Sequence, residues 1–159
     1  VDEVLRTFGS RAWRRPLSSE ERDRYRTFFD TATKSWGAAD AGRLLVQALL
    51  ASPNFVYRPE IGVQDAGGAA RPLTGYEVAS RLSYFLWQSM PDAALFDAAA
   101  KDELRTTEQV ERHARRMLND PRAREAVADL HRQWLGLDAI SKIARDAARF
   151  PAWKPALPE

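Results

Sequence analysis

Leu73-Thr74-Gly75-Tyr76-Glu77-Val78-Ala79-Ser80-Arg81-Leu82-Ser83-Tyr84-Phe85-Leu86-Trp87 is the stretch that decides the fold class. Thr74 followed by Glu77 is a capping box, in which each side chain takes up a free backbone N–H at a helix start. Val78, Leu82, Phe85 and Leu86 share one helical face, and Tyr76, Tyr84 and Trp87 add a second. A helix so apolar is packed on at least two sides. Little circumference remains for Arg81, so its guanidinium is expected to be at least partly buried and therefore paired. Glu77, one turn earlier, is one candidate partner. Glu60 is the preferred one, and in that pairing Arg81 has a structural role, bridging two parts of the chain. Ser80 and Ser83 lie inside the same helix, where small hydroxyls let neighbours approach closely.

The same helical grammar extends in both directions. Upstream, Val1, Val4, Leu5, Phe8 and Ala12 form one stripe, ended by Pro16 after Arg11, Arg14 and Arg15, cations that complement a helix C-terminus. Ser18 and Glu21 make a second capping box, and Tyr25, Phe28, Phe29, Ala32 and Trp36 the buried stripe of the helix that follows. Gly37 sits where a left-handed cap is cheap. A third helix, about 40–51, carries Leu44, Leu45, Val46, Leu49 and Leu50 and ends at Ser52-Pro53; residues 54–58 read as a short extended piece.

Downstream, Pro91-Asp92 opens a short Ala-rich helix, and Thr106 with Gln109 makes a third capping box. That helix is expected to bury Val110, Ala114, Met117 and Leu118. Asp120-Pro121 is a cap followed by proline at the first helical position, opening a helix expected to bury Ala123, Val127, Leu130 and Trp134. The tail, with Phe150, Pro151, Trp153, Pro155 and Pro158, is expected to lack regular structure. No segment alternates long enough to build a sheet. The reading is therefore all-α: about seven helices in two packed modules, 1–60 and 73–159, joined by a glycine-rich linker at 61–72.

Composition bounds the chemistry. The chain has 159 residues, 45% hydrophobic and 29% charged, which suits a folded domain with a real core. No apolar run reaches the roughly 20 residues of a membrane span. Cysteine is absent, which excludes disulfides, thiolate metal sites, a cysteine nucleophile and a CxxCH haem attachment within this chain. Formal charge is only +2, and the basic residues are mostly arginine. Arg112, Arg115, Arg116, Arg122 and Arg124 cluster around a helix junction. Glu108 and Glu111 stand four residues before Arg112 and Arg115, so a solvated face is preferred there over an anion or nucleic-acid site.

Neither histidine suggests a metal site. His113 and His131 fall on different helices, and neither lies in a Glu-x-x-His pattern. There is no Gly-x-Ser-x-Gly, Ser-x-x-Lys or phosphate loop. No catalytic, cofactor or metal residue is assigned. The structural or interaction candidates are Arg81, Glu77, Trp87, Trp134, Arg112, Arg115, Arg116 and Arg122.

Two longer phrases carry a resemblance. Arg11-Ala12-Trp13-Arg14-Arg15-Pro16-Leu17 and Ser52-Pro53-Asn54-Phe55-Val56-Tyr57-Arg58 resemble the domain of unknown function fifteen-ninety-five. Leu73 to Trp87, Met90-Pro91-Asp92, Arg116-Met117-Leu118-Asn119-Asp120-Pro121-Arg122 and Gln133-Trp134-Leu135 resemble its partner, fifteen-ninety-two. Both belong to the planctomycete-type (PSD) domain set. The resemblance implies a piece of a large extracytoplasmic protein, periplasmic or secreted, with c-type cytochrome segments elsewhere; any haem c would sit there. It supplies no reaction and no catalytic residues. The expected role is a scaffold or docking module whose partners are the remaining domains of the parent polypeptide and a redox partner. The rivals are an arginine-rich polyanion or nucleic-acid binder, which is disfavoured, and an enzyme completed by other segments.

Overall fold

The computed structural model describes residues 1–63, 71–142 and 148–149. The middle of the linker, with Gly67 and Gly68, and the aromatic tail with Phe150 and Trp153 lie outside the described residues. Among those described there are eight helices and no strand. They are α1 (2–13), α2 (Ser19–Trp36), α3 (Ala38–Leu50), α4 (Pro53–Val56), α5 (Gly75–Trp87), α6 (Ala93–Ala100), α7 (Thr107–Leu118) and α8 (Pro121–Trp134), followed by a 3₁₀ stretch, Leu137–Lys142. None is long and apolar enough to cross a membrane.

The helix starts follow the sequence closely. Ser18 with Glu21, Thr74 with Glu77 and Thr106 with Gln109 all form reciprocal capping boxes. Asp120 caps α8 ahead of Pro121. Gly37 serves both the end of α2 and the start of α3 at φ +83°, ψ 165°. That is a conformation open to glycine rather than an ordinary left-handed cap.

Two cores form, one in each half. Leu5, Trp13, Leu17, Leu45 and Leu49 make the first, with Tyr25 and Phe29 packed against it. Ala79, Trp87, Leu95, Leu104, Met117 and Ala123 anchor the second. Ser80 and Ser83 are buried in α5, where the Ser83 hydroxyl donates to the Ser80 carbonyl.

Several expected faces are corrected. In α1, Leu5–Gly9 is π-helical. The extra residue in that turn breaks the 3.6-residue stripe, and Phe8 leaves the core side and is exposed. Residues 54–58 are not simply extended, because Pro53–Val56 forms one helical turn with Ser52 accepting from the Asn54 N–H. In α2, Phe28 and Trp36 are exposed while Ala32 is buried.

The largest correction concerns α8. Its buried residues are Ala123 and Ala126, whereas Val127 and Leu130 are exposed and Trp134 is 76% exposed. Close approach of α8 to α5 selects the alanine stripe, and the large apolar residues turn outward. Leu118 on α7 and Phe85 on α5 are exposed as well.

Candidate functional site

The end of α1 builds the junction between the two halves. Trp13 is buried and its indole N–H donates to the Leu49 carbonyl at 3.1 Å. Arg14 follows at φ +57°, ψ 20°, a left-handed conformation uncommon outside glycine. It is only 7% exposed. Its Nη2 donates to the carbonyls of Asn54 at 2.6 Å, Phe55 at 3.1 Å and Tyr57 at 2.7 Å. This guanidinium takes up the orphan carbonyls around the short helix α4, which is why residues 53–56 hold a helical turn. Arg15 forms a two-point pair with Glu21, at 2.8 and 2.7 Å. That hydrogen bonding holds the Glu21 carboxyl below its ordinary pKa.

Two stacked cations reach across to α5. The guanidinium carbons of Arg58 and Arg14 lie 4.4 and 5.9 Å from the Tyr84 ring centroid, within cation–π range. Glu60 completes the junction. Its carboxylate accepts from Arg81 Nε at 3.0 Å and Nη2 at 2.5 Å. The partner is thus Glu60, but the expected burial of Arg81 is corrected: its side chain is 64% exposed. The flank of α5 that carries Arg81 and Phe85 is open, so the pair stays in water.

Glu77 is engaged elsewhere. Besides accepting from the Thr74 N–H at 2.7 Å and the Thr74 hydroxyl at 2.9 Å, it accepts from the backbone N–H of Ile61 at 2.7 Å and Gly62 at 3.1 Å. Burial opposes its charge, but the N–H donors of Thr74, Gly62 and Ile61 outweigh it and hold the carboxyl below its ordinary pKa. At Gly62, φ is +72° and an added Cβ would come within 2.8 Å of the Pro72 carbonyl, so only glycine fits this clasp.

Between α1 and α5 the junction leaves a cleft of about 670 Å³. Phe8, Arg11, Arg14, Phe55, Tyr84 and Met90 are among the residues that line it, and among the described residues no carboxylate does. The sequence reading missed this cleft, because it depends on a π turn and on a non-glycine residue at positive φ.

The second arginine group surrounds Trp87. That side chain is buried and donates its indole N–H to the Met117 carbonyl at 3.0 Å. The Arg122 and Arg116 guanidiniums lie 3.5 and 5.6 Å from its ring centroid. Arg116 pairs with Asp92 at 2.7 and 3.1 Å, Arg122 with Asp120 at 2.9 and 2.7 Å, and Arg115 with Glu111 at 3.0 and 2.6 Å. Arg122 holds the Asp120 carboxyl down to about 2. Burial opposes the charge on Asp92, but Arg116 and the Leu95 N–H outweigh it and keep its pKa low. Arg112 has no acidic partner among the described residues, and the structure does not form the expected pair with Glu108.

Trp134 is remote from this cluster and contacts the His131 ring at 6.2 Å. The Nδ1 of His131 lies 2.8 Å from the Val127 carbonyl. The Nδ1 of His113 is buried without a partner among the described residues, and burial, with Arg116 and Arg112 nearby, lowers its pKa. Among the described residues no group of three His, Cys, Asp or Glu is placed to hold a metal ion.

No curated protein and no solved structure matches the chain. The family of proteins of unknown function DUF1595 (PSD5) matches residues 1–60. DUF1592 (PSD4) matches residues 73–159, more than half of the chain. The two matched stretches meet across the junction held by Arg14, Glu60 and Glu77, and the chain belongs to the family of proteins of unknown function DUF1592, preceded by a DUF1595 domain.

Proposed function

We propose that the chain is a helical scaffold or docking module of a larger polypeptide, with the outer face of α8 as the seat for another domain of that same polypeptide. The observation that carries this reading is the exposed apolar surface formed by Leu118, Val127, Leu130, Trp134, Leu135 and Leu137. Leu118 and Val127 share one shallow depression, so the surface runs from the end of α7 onto α8. Apolar surface gathered in this way marks an interaction site more often than scattered single residues do.

The resemblance to the PSD set supports an extracytoplasmic parent that carries c-type cytochrome segments. A covalent haem would then belong to those segments, since this chain has no cysteine. The rival polyanion reading loses weight because Arg115, Arg116 and Arg122 are each committed to an acid.

The test is co-purification of this chain with the separately expressed remainder of its parent. Wild type should co-elute, and Leu130→Lys with Trp134→Lys should not, while keeping native circular dichroism. Haem absorbance should follow the remainder. Co-elution unaffected by the double substitution refutes the docking face. Heparin binding with a steep salt slope would favour the rival.

A further inference from the structure

We infer that the cleft between α1 and α5 binds a small amphiphilic carboxylate, with the anion at Arg11 and Arg14 and the apolar body against Phe8, Phe55 and Met90. Its volume of about 670 Å³ falls within the roughly 300–1,000 Å³ of small-molecule sites, which favour junctions between domains. The walls are chiefly apolar, and the two cations among them are set in different ways.

Arg14 is built in. It is more than nine-tenths buried and fixed by three carbonyls through Nη2 alone. Its Nε and Nη1 have no acceptor among the described residues, nor has any nitrogen of the Arg11 side chain. Carbonyl partners leave the guanidinium charge uncancelled, unlike the carboxylate partners around Trp87. A planar guanidinium with free donors suits a carboxylate. A smaller cavity that Arg14 also borders, about 300 Å³, has the acid Glu77 in its wall, so an added anion belongs in the larger one.

The remaining wall fits a hydrocarbon or aromatic body. The π turn at Leu5–Gly9 carries Phe8 out of the core and into this cleft, and π turns are frequent at functional sites. Apolar walls with two cations favour a single charge on a carbon chain over a polyanion.

The experiment titrates the chain with decanoate and decyl phosphate below their micellar concentrations and with decanol below its solubility limit, following thermal unfolding by circular dichroism. Decanoate should raise the midpoint saturably and bind at least tenfold more tightly than either of the others. Arg11→Gln, at an exposed position, should weaken decanoate at least tenfold and leave decanol unchanged. Met90→Trp, which fills the cleft, should abolish binding while the fold is retained. Equal binding of decanoate and decanol, no effect of Arg11→Gln, or binding that survives Met90→Trp would overturn the assignment. Tighter binding of decyl phosphate would overturn the carboxylate class.

Discussion

Each half of the molecule is organised around a buried tryptophan, and the two are built alike up to a point. Trp13 and Trp87 both donate an indole N–H to the carbonyl of a residue late in another helix, Leu49 and Met117. Both have an arginine over the ring: Arg15 at 5.4 Å from Trp13, and Arg122 at 3.5 Å from Trp87. They differ in what holds the neighbouring charge. Around Trp87, Arg116 and Arg122 rest on Asp92 and Asp120. Beside Trp13, Arg14 rests on carbonyls alone. Arg15, stacked on Trp13, is likewise paired with Glu21, so the difference lies in Arg14, whose charge no carboxylate among the described residues meets. Counting arginines along the chain does not separate these cases; the partner type does.

The largest expected effect tests the likeness. Trp13→Ala and Trp87→Ala should each cost about 3–5 kcal/mol in urea unfolding, the range for removing a core aromatic. If only one of them is costly, the two halves are not equivalent cores. Next comes the carbonyl-held charge. Arg14→Gln should cost about 1.5–3 kcal/mol, because it removes charged hydrogen bonds to three acceptors. A smaller loss would mean α4 holds its turn without Arg14.

The carboxylate-held side should respond to acid. The folded pKa of Asp92 is depressed below its ordinary 3.8. Its contribution is therefore present above that value and lost as pH falls through the folded pKa. Asn also caps helices well, so Asp92→Asn removes mainly the ion pair with Arg116. At neutral pH it should cost about 1 kcal/mol or less. Below pH 3.8 it should flatten the decline in urea midpoint, whereas Arg14→Gln should leave that slope unchanged. Equal slopes in wild type and Asp92→Asn would contradict the contrast.

The smallest effect is at the exposed Trp134. Trp134→Ala should change the stability of this chain by no more than about 0.5 kcal/mol, as at an ordinary surface site.

Helix starts were legible because capping is local chemistry: Ser18, Thr74, Thr106 and Asp120 each act on an N–H two or three residues away. Trp87 was legible because α5 is apolar on two faces. Trp134 was misread because periodicity shows that a stripe exists, not which of two stripes faces inward. Ala123 and Ala126 carry less hydrophobic signal than Val127, Leu130 and Trp134, yet their small size decides the packing. Arg81 found the anticipated partner in Glu60 but not the anticipated burial, since that flank of α5 is exposed among the described residues. The cleft had no sequence signature: Arg14 at positive φ follows from tertiary contacts with residues 54–57, some forty positions later. The four-residue turn α4 owes its shape to the same contacts.

The clasp at Glu77 changes what the segment after it has to do. The Val63 N–H donates to the Pro72 carbonyl at 2.8 Å, and the Ile61 and Gly62 N–H groups are held by Glu77. The two ends of the segment between Val63 and Pro72 are therefore held together at the junction. Closure entropy grows only logarithmically with loop length, about 0.6 kcal/mol per doubling. An insertion in this segment, even of an entire domain, should therefore leave the geometry of the junction beneath it unchanged.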